Sequence, residues 1–122
     1  MDTDTLLAQA RALGDALLQH ERVQSYLRVR ATLESDREAA RLLEDHHRHL
    51  DRLQQLEMQR KPIEAADKRR LAELESQLAG HELIKQWMRV QADYIELMNR
   101  LNDAIEQPLV QRLSSPAAAG DA

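Results

Sequence analysis

The chain has 122 residues, no cysteine, 2% aromatic residues and a formal net charge of -4. The missing cysteines exclude disulfides, iron–sulfur clusters and thiolate zinc sites. The acidic balance argues against a dedicated nucleic-acid binder, which would carry a strongly basic face. No apolar run approaches the roughly 20 residues that span a bilayer, and the acidic start Met1-Asp2-Thr3-Asp4 is unlike a secretory signal. We therefore expect a soluble, cytoplasmic protein without membrane contact.

The composition predicts an all-α fold. Leu, Ala, Gln, Glu and Arg lose little side-chain freedom on a helix, whereas the β-branched and aromatic residues that favour strands are scarce. Apolar residues also recur at helical spacing, as in Leu6, Ala10, Leu13 and Leu17. Helices are predicted over residues 4–19, 22–33, 36–59, 62–79 and 81–107, with one further turn through residue 113. We expect antiparallel helical hairpins forming a bundle of about five helices with a long C-terminal helix.

Proline and glycine residues suggest where the later helices begin and end. Pro62 suits the first position of the fourth helix, because its missing amide hydrogen would be unpaired there. Gly80 suits a left-handed stop, and Pro108 predicts a kink or restart in the last helix. We expect a single helical domain over residues 1–113, followed by a disordered tail over residues 114–122 that has nothing to bury.

The last predicted helix carries an apolar seam. Its residues step by three and four, as in a coiled coil: Ile84, Trp87, Gln91, Tyr94, Met98, Leu101 and Ile105. The 27 residues of this helix would extend about 40 Å, whereas a compact chain of this length is roughly 35 Å across. We therefore expect a homodimer in which the long helices pack together, with a tetramer left open. Gln91 is either an edge amide with a satisfied hydrogen bond or a residue that sets the register.

The most conspicuous polar cluster lies on the third predicted helix. Glu44 and His47 form an E-x-x-H step of the kind that binds metal in di-iron bundles, but such a site needs a second E-x-x-H on another helix, and none exists. We therefore interpret His46, His47 and His49 as packed or solvated histidines and predict no metal or cofactor. Metal binding by Glu44, His47 and Asp45 stays an alternative.

Positive charge is concentrated where the third and fourth predicted helices join, on Arg60, Lys61, Lys68, Arg69 and Arg70. Such a surface suits an acidic protein partner or RNA, but Glu64 and Asp67 would balance it as in an ordinary solvated turn. We predict a partner-binding surface here and do not expect RNA as a direct ligand. The chain has no cysteine nucleophile, no G-x-S-x-G turn and no glycine-rich phosphate loop, so we predict no catalytic residues and no enzymatic activity.

Several sequence landmarks occur in an order shared with a known family. They are Leu13-Gly14, Ala16-Leu17, Tyr26, Asp36-x-Glu38-Ala39, Leu53-Gln54-Gln55-Leu56 and Pro62, followed by Ile84, Met88, Gln91, Leu97, Leu101-Asn102, Ile105 and Pro108-Leu109. Over about residues 4–113 the chain resembles the YlbF/YmcA family of small bacterial helical regulators, and most closely its YheA-type branch.

The resemblance implies a helical, commonly dimeric protein without catalysis of its own. Relatives regulate competence, sporulation and biofilm formation, and some assemble with proteins that adjust an endoribonuclease acting on messenger RNA. Certain relatives bind iron–sulfur clusters through cysteines, which this chain lacks, so that cofactor does not carry over. The leading hypothesis is a regulatory adaptor that acts by protein–protein interaction. The alternatives are an RNA-associated accessory protein and a metal-binding helical protein.

Overall fold

A computed structural model describes residues 1–115 as five α-helices. They are α1 (Thr3–Leu17), α2 (Glu21–Ser35), α3 (Arg37–Met58), α4 (Ala65–Gly80) and α5 (Glu82–Ser114). The described residues contain no strand, and the predicted all-α fold is confirmed. Because α5 continues through Ser114, it passes the predicted domain end at 113 by one residue. Residues 116–122 of the predicted tail lie outside the described residues.

Short polar side chains fix the beginnings of the first helices. The Asp2 carboxylate accepts hydrogen bonds from both the hydroxyl and the amide of Thr5, at 2.7 and 2.9 Å, and caps α1. These hydrogen bonds hold the pKa of the Asp2 carboxyl below its ordinary value, with the Thr5 hydroxyl as the larger cause. Asp36 caps α3 in the same way by accepting from the amide of Ala39 at 2.9 Å.

The second helix packs antiparallel against the first half of α5. Arg22, near the start of α2, pairs with Glu96 at 2.8 Å, whereas Leu33, near its end, lies in the same core as Ile84. That core also contains Ala39 and Leu42 of α3 and Leu78 of α4, so four helices meet in it. Ile84 is fully buried there. The core therefore sits around the α4–α5 junction, at one end of the long helix.

The third and fourth helices form an antiparallel hairpin. A ring nitrogen of His49 on α3, Nε2, lies 2.8 Å from the Asp67 carbonyl on α4 and donates to it, and Arg52 pairs with the Asp67 carboxylate at 3.3 Å. At the tip, α3 ends in a Schellman motif. The Lys61 amide donates to the Leu56 carbonyl, and the Arg60 amide donates to the Glu57 carbonyl.

Two of the predicted helix boundaries are wrong. Pro62 does not begin the fourth helix, because Glu64 and Asp67 form a capping box that starts α4 at Ala65. Gly80 is not a left-handed stop: it lies within α4, and no glycine among residues 1–115 has a positive φ. Pro108 lies inside an uninterrupted α5, so the predicted restart does not occur.

The left-handed position that the sequence suggested at a glycine is instead occupied by Arg60, with φ of 58°. A side chain in this region costs roughly 1–2 kcal/mol that glycine avoids. We expect Arg60→Gly to raise the free energy of unfolding by about 1 kcal/mol, measured by denaturant titration. The neighbouring Lys61→Gly is the control and should be neutral or destabilising. A loss of stability in Arg60→Gly would contradict this assignment of the motif.

Candidate protein-interaction surfaces

The first half of the predicted seam is used inside the chain. The Tyr26 ring of α2 stacks on the Tyr94 ring with 4.2 Å between centroids and lies 5.3 Å from the Trp87 ring. Ile84 is buried in the core, and Gln91 is exposed. Ile84, Trp87 and Tyr94 therefore pack against their own chain, and the cover that α2 gives this part of the seam was not predicted from the sequence.

The second half of the seam is covered less and less along its length: Met98 and Leu101 are half-buried, and the later residues are exposed. The 15 residues of α2 extend about 22 Å, whereas the 33 residues of α5 extend about 50 Å. Beyond Glu96, which pairs with the start of α2, the apolar row continues through Met98, Leu101 and Ile105 to Leu109. Ile105 is 60% exposed and Leu109 is 65% exposed. We call residues 98–113 of α5 the free half of this helix.

The first helix is the second uncovered apolar element. It buries none of its side chains against the rest of residues 1–115. Its apolar residues Leu6, Ala10, Leu13 and Leu17 nevertheless lie on one face, because they step by four, three and four. Leu6 is 54% exposed. An amphipathic helix gains most of its stability by burying its apolar face, so α1 has the pattern of a helix that packs on another surface.

The total accessible surface supports the same conclusion. The chain exposes 9637 Å² at a mass of 14.0 kDa, whereas a compact monomer of that mass exposes about 6,700 Å². Even if residues 116–122 contributed the full area of an extended chain, about 800 Å², an excess of roughly 2,000 Å² would remain. A standard interface buries about 800 Å² per partner. The excess is therefore large enough for a stable association.

The exposed apolar side chains lie mostly on these two helices. Within residues 1–115, nine of the fourteen large exposed apolar residues belong to α1 or α5: Leu6, Leu7, Leu13, Met88, Ile95, Ile105, Leu109, Val110 and Leu113. Contiguous exposed apolar surface of this kind marks an interaction site. The exposed apolar side chains of α1 and α5 thus form the surface that the structure adds to the sequence prediction.

The predicted basic residues lie around the tip of the α3–α4 hairpin. Arg60 and Lys61 lie in the connection, and Lys68, Arg69 and Arg70 lie on the first turns of α4; all five are exposed. Arg70 pairs with Glu73 at 3.4 Å, but the other four form no ion pair with any residue of 1–115. We call these five residues the basic tip.

Asp67 and Glu64, the two carboxylates predicted to balance the basic residues, lie in different environments. Asp67 is turned inward, with its side chain only 13% exposed, and is engaged by Arg52. Glu64 is exposed and takes part in the capping box of α4. Arg52 therefore takes up the charge of Asp67, whereas the exposed Glu64 carboxylate keeps its negative charge near the basic tip.

The histidine cluster does not assemble into a metal centre in the described part of the chain. Glu44 pairs with Arg48 at 2.7 Å, and His47 lies 3.4 Å from Asp51 on its own helix. His49 joins α3 to α4 as described above, and His46 is half-buried. Within residues 1–115 no three histidine, aspartate or glutamate side chains converge as metal ligands would. No helix in this range is both long enough and apolar enough to cross a membrane.

Comparison with known families identifies the chain. Residues 6–110 match the family model Com_YlbF, described as "Control of competence regulator ComK, YlbF/YmcA". The chain belongs to the Com_YlbF family. The match extends over all five helices and agrees with the resemblance found in the sequence. No curated protein matches this Com_YlbF chain.

Solved structures share the Com_YlbF fold. Bacillus subtilis RicA, solved in complex with RicF, is similar with a TM-score of 0.73 and 16% sequence identity, covering 93% of this chain and 100% of that one. A protein of unknown function (DUF964) from Bacillus stearothermophilus is similar with a TM-score of 0.72 and 19% identity, covering 92% and 98%. At these identities the likeness establishes the fold.

Proposed function

We propose that this protein is a non-enzymatic regulatory adaptor that acts by binding other polypeptides. The observation that carries the proposal is the uncovered apolar surface of α1 and the free half of α5. Catalysis needs convergent polar groups in a site that excludes water. Among residues 1–115 the fully buried residues are all apolar, and the partly buried Asp67 is taken up by contacts with Arg52 and His49. This chain is therefore better suited to association than to chemistry.

The adaptor would use two surfaces with different roles. Met98, Leu101 and Ile105, in the second half of the predicted seam, would join two copies into a homodimer. The basic tip would face outward and bind an acidic surface on a different protein. That RicA was solved in complex with RicF supports a protein partner for a chain of this fold. The cellular role would be regulatory, as the description of the family indicates.

The resemblance to the YlbF/YmcA family makes the proposed role more specific. It suggests control of competence, sporulation or biofilm formation, or of messenger RNA processing through a ribonuclease-associated complex. Since some relatives use cysteine-bound clusters and this chain has no cysteine, any such role here would rest on protein contacts alone.

The basic tip is tested by charge reversal. We expect Lys68→Glu, Arg69→Glu and Arg70→Glu together to abolish capture of the partner from source cells, because an acidic surface is then repelled. The matched control is the triple alanine variant of the same residues, which should weaken capture less. Partners are quantified by mass spectrometry against an untagged control. The substitutions are exposed, so the helical circular dichroism signal should stay unchanged.

The outcome that contradicts the proposal is equally concrete. If the charge-reversed protein recovers the same partners in the same amounts, the basic tip does not bind them. If the basic tip instead contacted RNA, the wild-type protein would shift an RNA oligonucleotide at low salt, and binding would fall steeply as salt rises. Recovery of RNA without a protein partner would replace the adaptor function with the RNA-associated one.

A further inference from the structure

The face that α2 covers on α5 continues beyond the N-terminal end of α2. Tyr26 packs on Trp87 and Tyr94 of that face, and Arg22 reaches Glu96. One turn further along, Leu101 is half-buried, and from Ile105 onwards the row is exposed, with 60% at Ile105 and 85% at Leu113. A second helix can therefore pack on the free half of α5 as α2 packs on the first half.

The first helix has the length and the apolar pattern expected of a helix that packs on the free half of α5. It has 15 residues, about 22 Å, and the free half of α5 has 16 residues, about 24 Å. Each of these two segments has a single row of apolar residues, and the two rows are of similar length. Yet α1 does not pack on the free half of its own α5, since it buries no side chain within residues 1–115. The two uncovered faces are complementary, and the single chain leaves both of them open.

Gly14 leaves room for a close neighbour on α1. A glycine inside a helix is destabilising, and Gly14 has an ordinary negative φ that does not require glycine. A Cβ atom added at Gly14 would meet nothing within 4 Å in this chain. The residue flanks the apolar row of α1, where a missing side chain lets a second helix approach closely. No residue of the described range 1–115 uses that space.

From these observations we infer that α1 of one copy packs on the free half of α5 of a second copy, and the reverse. This inference rests on the proposed self-association and specifies its geometry. Two copies would bring together two α1 helices and two α5 helices, which can cover all four apolar rows in a four-helix bundle. The excess surface of roughly 2,000 Å² per chain exceeds the about 800 Å² per partner of a standard interface, as such a bundle requires.

The inference is tested by cross-linking between chains. The natural chain contains no cysteine, so single cysteines can be introduced without background. Ala10→Cys and Ile105→Cys are placed on two differently tagged full-length chains, which are co-expressed and treated with a short bismaleimide. Both positions lie at the middle of their apolar rows, so they meet whichever way the two helices run. The control replaces Ala10→Cys with Ala8→Cys, an exposed alanine on the opposite side of α1.

We expect a cross-linked product that carries both tags for the Ala10 and Ile105 pair, formed at least about tenfold faster than with the Ala8 control. Equal or absent cross-linking in a protein that still sediments as a dimer would overturn this geometry and leave self-association standing. A third variant carries both Ala10→Cys and Ile105→Cys on one chain. If it cross-links only within itself, α1 folds back on its own α5, which also overturns this geometry. A monomeric wild-type protein would overturn both this inference and the proposed dimer.

Discussion

Replacing Leu101 with Asp is expected to convert the protein from a dimer into a folded monomer. Leu101 lies in the free half of α5 and is half-exposed in the single chain, so the carboxylate stays hydrated when the chain is alone. In a dimer it would be desolvated without a partner, at about 3 kcal/mol per copy. Because the substitution occurs twice per dimer, association should weaken by roughly four orders of magnitude.

Light scattering coupled to size exclusion measures this effect directly. The matched control is Asn99→Asp, which introduces the same carboxylate two residues away on nearly the opposite side of α5, where Asn99 is exposed. The control should remain dimeric. If Leu101→Asp also remains dimeric with unchanged stability, the free half of α5 is not the interface. If it loses its helical circular dichroism signal, Leu101 belongs to the folding core instead.

Truncating Ile84 to Ala is expected to cause the largest loss of intrachain stability of any single apolar truncation described here. Ile84 is fully buried where α2, α3, α4 and α5 meet. Removing its outer carbons leaves a cavity that costs about 2–5 kcal/mol, a large part of the 5–15 kcal/mol that stabilises a typical domain. The midpoint of denaturant unfolding should therefore fall steeply.

Comparison with Ile105→Ala shows whether burial accounts for the loss of stability in Ile84→Ala. Both substitutions remove the same atoms from the same helix, but Ile105 is 60% exposed. In the Leu101→Asp background, where association is removed, Ile105→Ala should change the free energy of unfolding by at most about 0.5 kcal/mol. Equal losses at both positions would contradict the division of α5 into a half that packs on its own chain and a free half.

Helix content was predictable because propensity and spacing act locally. The five helices and their order follow from composition and from apolar residues at helical intervals. Boundaries failed where two local signals competed. Pro62 suits a first helical position, but the Glu64 and Asp67 capping box starts α4 three residues later. Arg60 occupies the left-handed position because the Schellman hydrogen bonds determine where α3 ends, whichever residue follows its C-cap.

Periodicity alone could not predict which part of the apolar seam packs on its own chain. A row of residues on one helix face shows that the face is covered, but it does not show whether its own chain or another chain covers it. Tyr26 was the available signal, because it is one of only three aromatic residues and has the ring size to pack on Trp87 and Tyr94. The contrasting lengths of α2 and α5 then decide how far the intrachain cover extends.

The basic tip was predicted from residues that are close in sequence around a hairpin turn, and its use as a binding surface stays a prediction. The inward position of Asp67 was not predictable, since it depends on Arg52 and His49 of the preceding helix. The functional meaning of the cluster stays a prediction, because positive charge alone does not distinguish an acidic protein from RNA.

The solution mass of the wild-type protein tests self-association most directly. We propose that a second copy covers the apolar faces of α1 and the free half of α5. Sedimentation equilibrium over a dilution series should give twice the 14.0 kDa chain mass, or a multiple of that dimer. A mass of 14.0 kDa at every concentration would contradict the claim, because the exposed apolar surface would then remain uncovered in the isolated protein.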